Sequence, residues 1–101
     1  MNQKISILGC GWLGKALAIE LLNKQYPVKG STTSSEKIDS LKAVGIKPFV
    51  VDISNSANDN AHFLLTDILV ISITSKNSAD FSNLITQIEK ANITKVIFIS
   101  S

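Results

Sequence analysis

The sequence predicts an α/β protein with a doubly wound parallel sheet of five strands in the order 3-2-1-4-5. Strand and helix patterns alternate along all 101 residues. The strands are nearly continuous apolar runs, which is typical of a parallel sheet covered by helices on both faces. Right-handed crossovers between such strands then favour this order.

The individual elements follow from apolar runs, helical periodicity and turn residues. Strands are predicted at 4–8, 28–30, 47–51, 68–73 and 95–100, and helices at 12–24, 36–44 and 79–91. Pro27 is expected to stop the first helix. Ser34 or Ser35 is expected to cap the second helix, which Gly45 can terminate. The polar stretch 54–60 is predicted to be a loop with a short helix after it. The inner side of the last helix is predicted to carry Phe81, Leu84, Ile85 and Ile88.

A glycine pattern, G-x-G-x-x-G, joins the first strand to the first helix at Gly9, Gly11 and Gly14. In this context the pattern is the dinucleotide-binding fingerprint of a Rossmann-type fold. The first glycine permits a tight turn, the second lets a pyrophosphate approach, and the third lets the helix pack on the strand. Cys10 lies inside the turn, and the amides of Trp12 and Leu13 would face the phosphates. A glycine-rich turn without a ligand is the alternative.

Composition indicates one small globular domain, with 45% apolar and 18% charged residues. The net charge is +2, and all ten basic residues are lysines. The absence of arginine counts against nucleic-acid recognition. The single cysteine fits a reducing cytoplasm. No apolar run is long enough for a membrane span, and the run before Cys10 is too short for a signal peptide. His62 has no second histidine to form a metal site.

The last predicted strand is apolar on both faces at Val96-Ile97-Phe98-Ile99, and no helix follows to cover it. We therefore expect the chain to be the N-terminal part of a longer protein, with an apolar patch near strand five through which it could form a homodimer. A natural domain that ends on an edge strand is the alternative.

Five segments together resemble the NAD(P)-binding half of the NAD-dependent epimerase/dehydratase family, the extended or atypical short-chain dehydrogenase/reductases. These segments are ILGCGWLGKALA, VKGSTTSSEK, GIKPFVVDIS, DILVISIT and VIFISS. The resemblance implies that the three glycines contact phosphates, that Asp52 contacts the adenine amino group, and that Ser72 and Ile73 pass under the adenosine ribose. It also matches Ser101 to a serine or threonine that assists catalysis.

The chain departs from that family in two places. The family's usual first glycine falls one position earlier, where this chain has Leu8. The Tyr-x-x-x-Lys acid/base pair of the family lies beyond the fifth strand, and Tyr26 is the only tyrosine here. Without a tyrosine beside a lysine, hydride transfer lacks its proton donor. We therefore expect this chain to bind a cofactor without turning it over.

The end of the second strand bears on the choice between NADP and NAD. NAD-preferring sites place an acidic residue about twenty residues past the glycines. Here that position falls at Gly30-Ser31-Thr32-Thr33, and the first acid is Glu36. The hydroxyls of Ser31, Thr32, Thr33 and Ser34, with the charge of Lys37, favour NADP over NAD. An ordinary turn with a helix cap is the alternative.

These observations predict the cofactor-binding portion of an NADP-dependent epimerase, dehydratase or reductase. A non-catalytic nucleotide-sensing module is the alternative from another class, although such modules generally keep the acid after strand two. A methyltransferase-like domain also normally needs that acid and has a different glycine pattern.

Overall fold

Five parallel strands form one sheet in the order β3-β2-β1-β4-β5 in a computed structural model of the chain. The structure describes residues 3–10, 12–33, 35–51, 61–72 and 78–99. The strands are β1 (Ile5–Leu8), β2 (Val28–Thr32), β3 (Lys47–Val50), β4 (Ile68–Ile71) and β5 (Lys95–Phe98). The helices among the described residues are α1 (Trp12–Asn23), α2 (Ile38–Ala43), α3 (Ala61–Leu64) and α4 (Ser78–Lys90). The predicted fold class and strand order are confirmed.

The strand order reverses at β1, which lies between β2 and β4. Ile7 is paired with Gly30 on one side and with Val70 on the other. In such a sheet, the helices that follow neighbouring strands leave a crevice where the order reverses, at the carboxyl ends of the strands. The turn after β1 therefore lies at the place where this fold binds ligands.

Two apolar layers cover the sheet. One is built on Ile7, Val28, Val70, Ala18 of α1 and Leu41 of α2. The other layer contains Leu8, Phe63 of α3, Leu69, Ile71 and Leu84 of α4. Alternate residues of the central strands thus enter opposite layers, which explains why β1 and β4 are apolar without a break.

Helices α1 and α2 end in the same hydrogen-bonded arrangement. After α1, the Gln25 and Tyr26 amides donate to the carbonyls of Leu22 and Leu21, and Gln25 has a φ of 70°. After α2, the corresponding residue is Gly45, which has a φ of 96°. Glycine is the residue type preferred at this position. Gly45 terminates its helix as predicted, whereas α1 ends at Asn23, before Pro27 is reached.

Three sequence-based details of the first half differ from the structure. Strand β2 continues to Thr32, two residues beyond its predicted end. A 3₁₀ turn, Ser35–Lys37, precedes α2. The N-cap position of α2 is occupied by Lys37 without a side-chain cap bond, so the predicted cap at Ser35 is wrong. Ser34 lies outside the described residues.

The outer end of the sheet carries exposed apolar side chains. Phe98 of β5 is 65% exposed, and Val96 and Ile97 are also exposed. The predicted apolar patch near strand five is therefore confirmed. Ile85 of α4 is exposed too, so its predicted place on the inner side of that helix is wrong, whereas Leu84 is buried. The side chain of Phe81 lies outside the description.

None of the helices in the described part of the chain combines the length and apolar character needed to cross a membrane.

Candidate functional site

The turn after β1 has the backbone shape that the glycine pattern predicts. Gly9 directly follows β1 and has a φ of 90°, a conformation that side-chain-bearing residues rarely adopt. Helix α1 begins at Trp12, so its first amides lie beside this turn and have no carbonyl partner within the helix. Gly11 lies outside the described residues, and only the backbone of Trp12 is described. The described part of the turn therefore directs a helix N-terminus toward the crevice.

Gly14 is required by the close approach of α1 to the turn. A Cβ at this position would lie 2.5 Å from the carbonyl oxygen of Gly9 and 3.4 Å from Cγ2 of Ile7. The carbonyl belongs to the backbone and cannot rotate away like a side chain. The third glycine thus has the packing role that the fingerprint assigns to it.

Ser31 holds the glycine turn against the end of β2. Its Oγ accepts a hydrogen bond of 2.8 Å from the Gly9 amide, and its carbonyl accepts one of 2.7 Å from the Cys10 amide. Ser31 is only 1% exposed. Its hydroxyl therefore shapes the turn and is buried beneath it. Sequence reasoning proposed a direct cofactor contact here and missed this positioning role.

Gly30 and Cys10 form a tight contact under the turn. A Cβ on Gly30 would lie 2.6 Å from Sγ of Cys10 and 2.7 Å from Cγ2 of Ile46. Burial raises the pKa of the Cys10 thiol to about 11, although a hydrogen bond between the sulfur and the Ser31 backbone and the charge of Lys15 oppose the shift. The thiol is thus a neutral packing group at physiological pH. A glycine inside a strand is a sequence signal of such a close approach.

The end of β2 presents hydroxyl groups and no acid among the described residues. Thr32 is buried, and its carbonyl accepts a hydrogen bond from the amide of Val51, the residue directly after β3. Thr33 follows and is exposed. Lys37 is exposed at the start of α2. The stretch where NAD-preferring sites carry a carboxylate therefore ends here in two threonines.

Ser72 lies on the other side of the crevice, at the end of β4. Its amide donates a hydrogen bond of 2.9 Å to the carbonyl of Leu8, which places it beside the glycine turn. Asp52, Ile73 and Ser101 were also predicted as site residues, and they lie outside the described residues. Leu13 is partly buried in the first turn of α1.

A lysine links the two helices beside the turn. Nζ of Lys15 donates a hydrogen bond of 2.8 Å to Oγ of Ser40, so α1 is tied to α2. This contact was not predicted, because nothing in the spacing of the two residues indicates it. Tyr26, by contrast, packs against the apolar layer that covers the α1 side of the sheet. It follows α1 and precedes β2, so it lies at the end of the sheet opposite the glycine turn.

Histidine, cysteine, aspartate and glutamate side chains form no group that could hold a metal ion within the part of the chain that the structure describes.

The strand order, the glycine turn at the point where that order reverses, and the helix that starts there define a Rossmann-like α/β protein. Residues 4–101 match the family model described as NADP oxidoreductase, coenzyme F420-dependent. The chain belongs to this family.

Similar proteins fall into several classes. The Escherichia coli protein YeeZ is 28% identical over 80 residues, which cover 75% of this chain and 29% of YeeZ. The chain thus spans less than a third of this curated relative. Yeast methylglyoxal/isovaleraldehyde reductase Gre2, solved with NADPH, has a TM-score of 0.77 at 23% identity, covering 97% of this chain and 38% of Gre2. The TrkA-N domain of the E. coli inner membrane protein YbaL has a TM-score of 0.74 at 19% identity. The match covers 97% of this chain and 73% of the YbaL domain.

The family match and the fold together support an NAD(P)-binding Rossmann module. The structural similarities to Gre2 and to the YbaL domain are at identities of 23% and 19%. They establish the fold alone.

Proposed function

We propose that this chain is the dinucleotide-binding part of an NADP-dependent oxidoreductase, epimerase or dehydratase. The observation that carries the proposal is the combination of Gly9 in the left-handed region with the close approach of Gly14 to the Gly9 carbonyl. The two features together hold the first turn of α1 against the end of β1. The family description supports an oxidoreductase that uses NADP.

The residues present fit a dinucleotide. A phosphate can approach the turn because no side chain projects from Gly9 or Gly11, and the N-terminus of α1 favours a negative charge. Amides of the turn and of Trp12 and Leu13 would donate to the pyrophosphate. When bound, the nicotinamide would supply hydride transfer, the chemistry of this cofactor class.

Residues around the turn have separate roles in this proposal. Ser31 holds the turn through the amides of Gly9 and Cys10, as a positioning residue. Thr32, Thr33 and Lys37 would face the adenosine ribose and its 2′-phosphate. Ser72 and Ile73 would lie under that ribose, Asp52 would contact the adenine, and Ser101 would assist catalysis in a complete enzyme. The narrower resemblance to the epimerase/dehydratase family supports these last assignments.

NADP is preferred over NAD on electrostatic grounds. A carboxylate at the end of β2 would repel a 2′-phosphate, and Thr33 carries no charge. An exposed lysine at position 37 adds a favourable charge. These features count against the alternative of a non-catalytic nucleotide-sensing module, which would normally keep the acid. The sensing module is therefore the second candidate.

The test is a charge substitution at the exposed end of β2. The variant Thr33→Asp should bind NADP⁺ at least tenfold more weakly than the unmodified chain, a change of about 1.4 kcal/mol, while NAD⁺ binding is kept or improved. Thr33→Asn is the matched control, since it changes size in the same way without adding charge. Calorimetric titration measures all three proteins. Equal loss of NADP⁺ affinity in both variants would contradict the proposed electrostatic selection.

A further inference from the structure

A second cleft lies at the end of the sheet opposite the glycine turn. It has a volume of about 350 Å³. Three lysines and three residues with apolar side chains are among those that line it: Lys4, Lys29, Lys47, Pro27, Phe49 and Leu65. Lys4 precedes β1, Pro27 precedes β2, and Lys47 begins β3. The cleft is therefore separate from the dinucleotide site, which lies at the carboxyl ends of the strands.

Lys29 is held in place by carbonyl groups of the segment around α3. Its Nζ donates hydrogen bonds of 2.7 Å to the carbonyl of His62 and 2.8 Å to that of Leu65. The same Nζ lies 5.9 Å from the centroid of the Phe49 ring. The Phe49 ring in turn makes an edge-to-face contact with the ring of Phe63, and the two ring centroids are 5.6 Å apart. The cation and the aromatic wall are thus positioned by the fold.

Like charges meet at this cleft without a compensating acid in its lining. Lys29 and Lys47 are register partners on β2 and β3, and like charges directly opposite each other are unfavourable. Burial, followed by the charges of Lys47 and Lys4, lowers the pKa of Lys29. The nearby carboxylate of Asp67 accepts a hydrogen bond from the Lys4 amide and does not line the cleft. A bound anion would relieve this repulsion.

We propose that the cleft binds a small organic phosphate monoester whose apolar body rests against Phe49 and Leu65. Three lysines favour a dianion over a singly charged carboxylate, because each ammonium adds an attractive interaction. Low-dielectric walls strengthen that attraction. Leu65 is 63% exposed, and an apolar body would cover it. The proposal stands independently of the dinucleotide function.

Nuclear magnetic resonance titration of the isotopically labelled chain tests this site, with phenyl phosphate as the probe. Saturable shifts are expected at the amides of Lys29, Phe49 and Leu65, with an affinity several-fold higher than that for inorganic phosphate. Phenol, which lacks the charge, should cause no saturable shift. Shifts that concentrate at Gly9 and Leu13 would instead assign the phosphate to the glycine turn and overturn the proposal.

Two lysine variants separate a specific site from a general charge effect. Lys47→Gln should weaken phenyl phosphate binding about fivefold, since Lys47 lines the cleft and is exposed enough to be replaced without unfolding the chain. Lys42→Gln is the matched control on α2, outside the cleft, and should leave the affinity unchanged. An equal loss in both variants, or an absence of saturable binding to the unmodified chain, would overturn the proposal.

Discussion

Oγ of Ser31 accepts a hydrogen bond of 2.8 Å from the amide of Gly9, and this contact joins the end of β2 to the turn that follows β1. The two residues are 22 positions apart in the chain. The serine is buried and the glycine has a positive φ, so the bond stabilises a backbone shape that the sequence permits without enforcing. The geometry of the proposed phosphate site therefore depends on a residue of another strand.

Replacing Ser31 by alanine should weaken both the fold and the site. The Gly9 amide would lose its acceptor in a partly buried place, which costs about 1 to 3 kcal/mol of unfolding free energy. Urea denaturation measures this change. Ser40→Ala is the control, because Ser40 is exposed and its bond to Lys15 should contribute no more than about 0.5 kcal/mol. Equal unfolding free energies for the two variants would contradict the role given to Ser31.

Gly14→Ala should destabilise the chain despite the higher helix propensity of alanine. The propensity gain is about 1 kcal/mol, whereas a Cβ at 2.5 Å from a backbone oxygen forces α1 away from the turn at a cost of about 1 to 3 kcal/mol. We expect a net loss of unfolding free energy and a loss of NADP⁺ affinity, measured by urea denaturation and calorimetry. Ala16→Ser, at an exposed position of the same helix, should change neither quantity appreciably. An alanine variant as stable as the parent would show that α1 can shift freely.

The Cys10 thiol should react slowly with iodoacetamide at pH 8. Its pKa is raised from 9.0 to about 11, chiefly by burial, and the thiolate is the reactive species. The folded state holds the proton more tightly than the unfolded state, so the thiol favours folding below pH 9. This contribution is lost as the pH rises from about 9 to 11. Alkylation rates of the folded and urea-unfolded chain, measured across this range, check the prediction. A midpoint near 9 in the folded chain would refute it.

We expect the chain to self-associate through the exposed apolar patch of β5. Phe98→Ser should reduce association in sedimentation velocity at increasing protein concentration, because Phe98 is 65% exposed and contributes apolar area to any contact. Val50→Ser is the matched control on β3, the other edge strand, where Val50 is 49% exposed. Monomeric behaviour of the unmodified chain at all concentrations would count against a homodimer.

Much of the fold could be predicted from the sequence, since apolar runs and helical periodicity identify the strands and helices. The strand order follows because right-handed crossovers leave few arrangements. Strand ends were less predictable: β2 extends to Thr32 because Thr32 pairs with Val50 of β3, and its carbonyl accepts a hydrogen bond from the amide of Val51 directly after that strand. Ile85 was misplaced because apolar character alone does not tell which helix positions meet the sheet.

The site was predictable where backbone shape depends on one residue, as at Gly9 and Gly14. It was not predictable where the function of a side chain depends on partners far along the chain. Ser31 was predicted as a cofactor contact, but register with β1 places its hydroxyl under the turn. The clustering of Lys4, Lys29 and Lys47 likewise follows from strand pairing and is invisible in a scattered set of lysines.

Calorimetric titration of this chain with NADP⁺ and with NAD⁺ tests whether the glycine turn and the end of β2 form a site selective for NADP. NADP⁺ is expected to bind at least about threefold more tightly than NAD⁺, because the end of β2 carries threonines and no acid. Tighter binding of NAD⁺ would contradict the selection argued from Thr33. Binding of neither would mean that the glycine turn has a structural role in this chain and holds no dinucleotide.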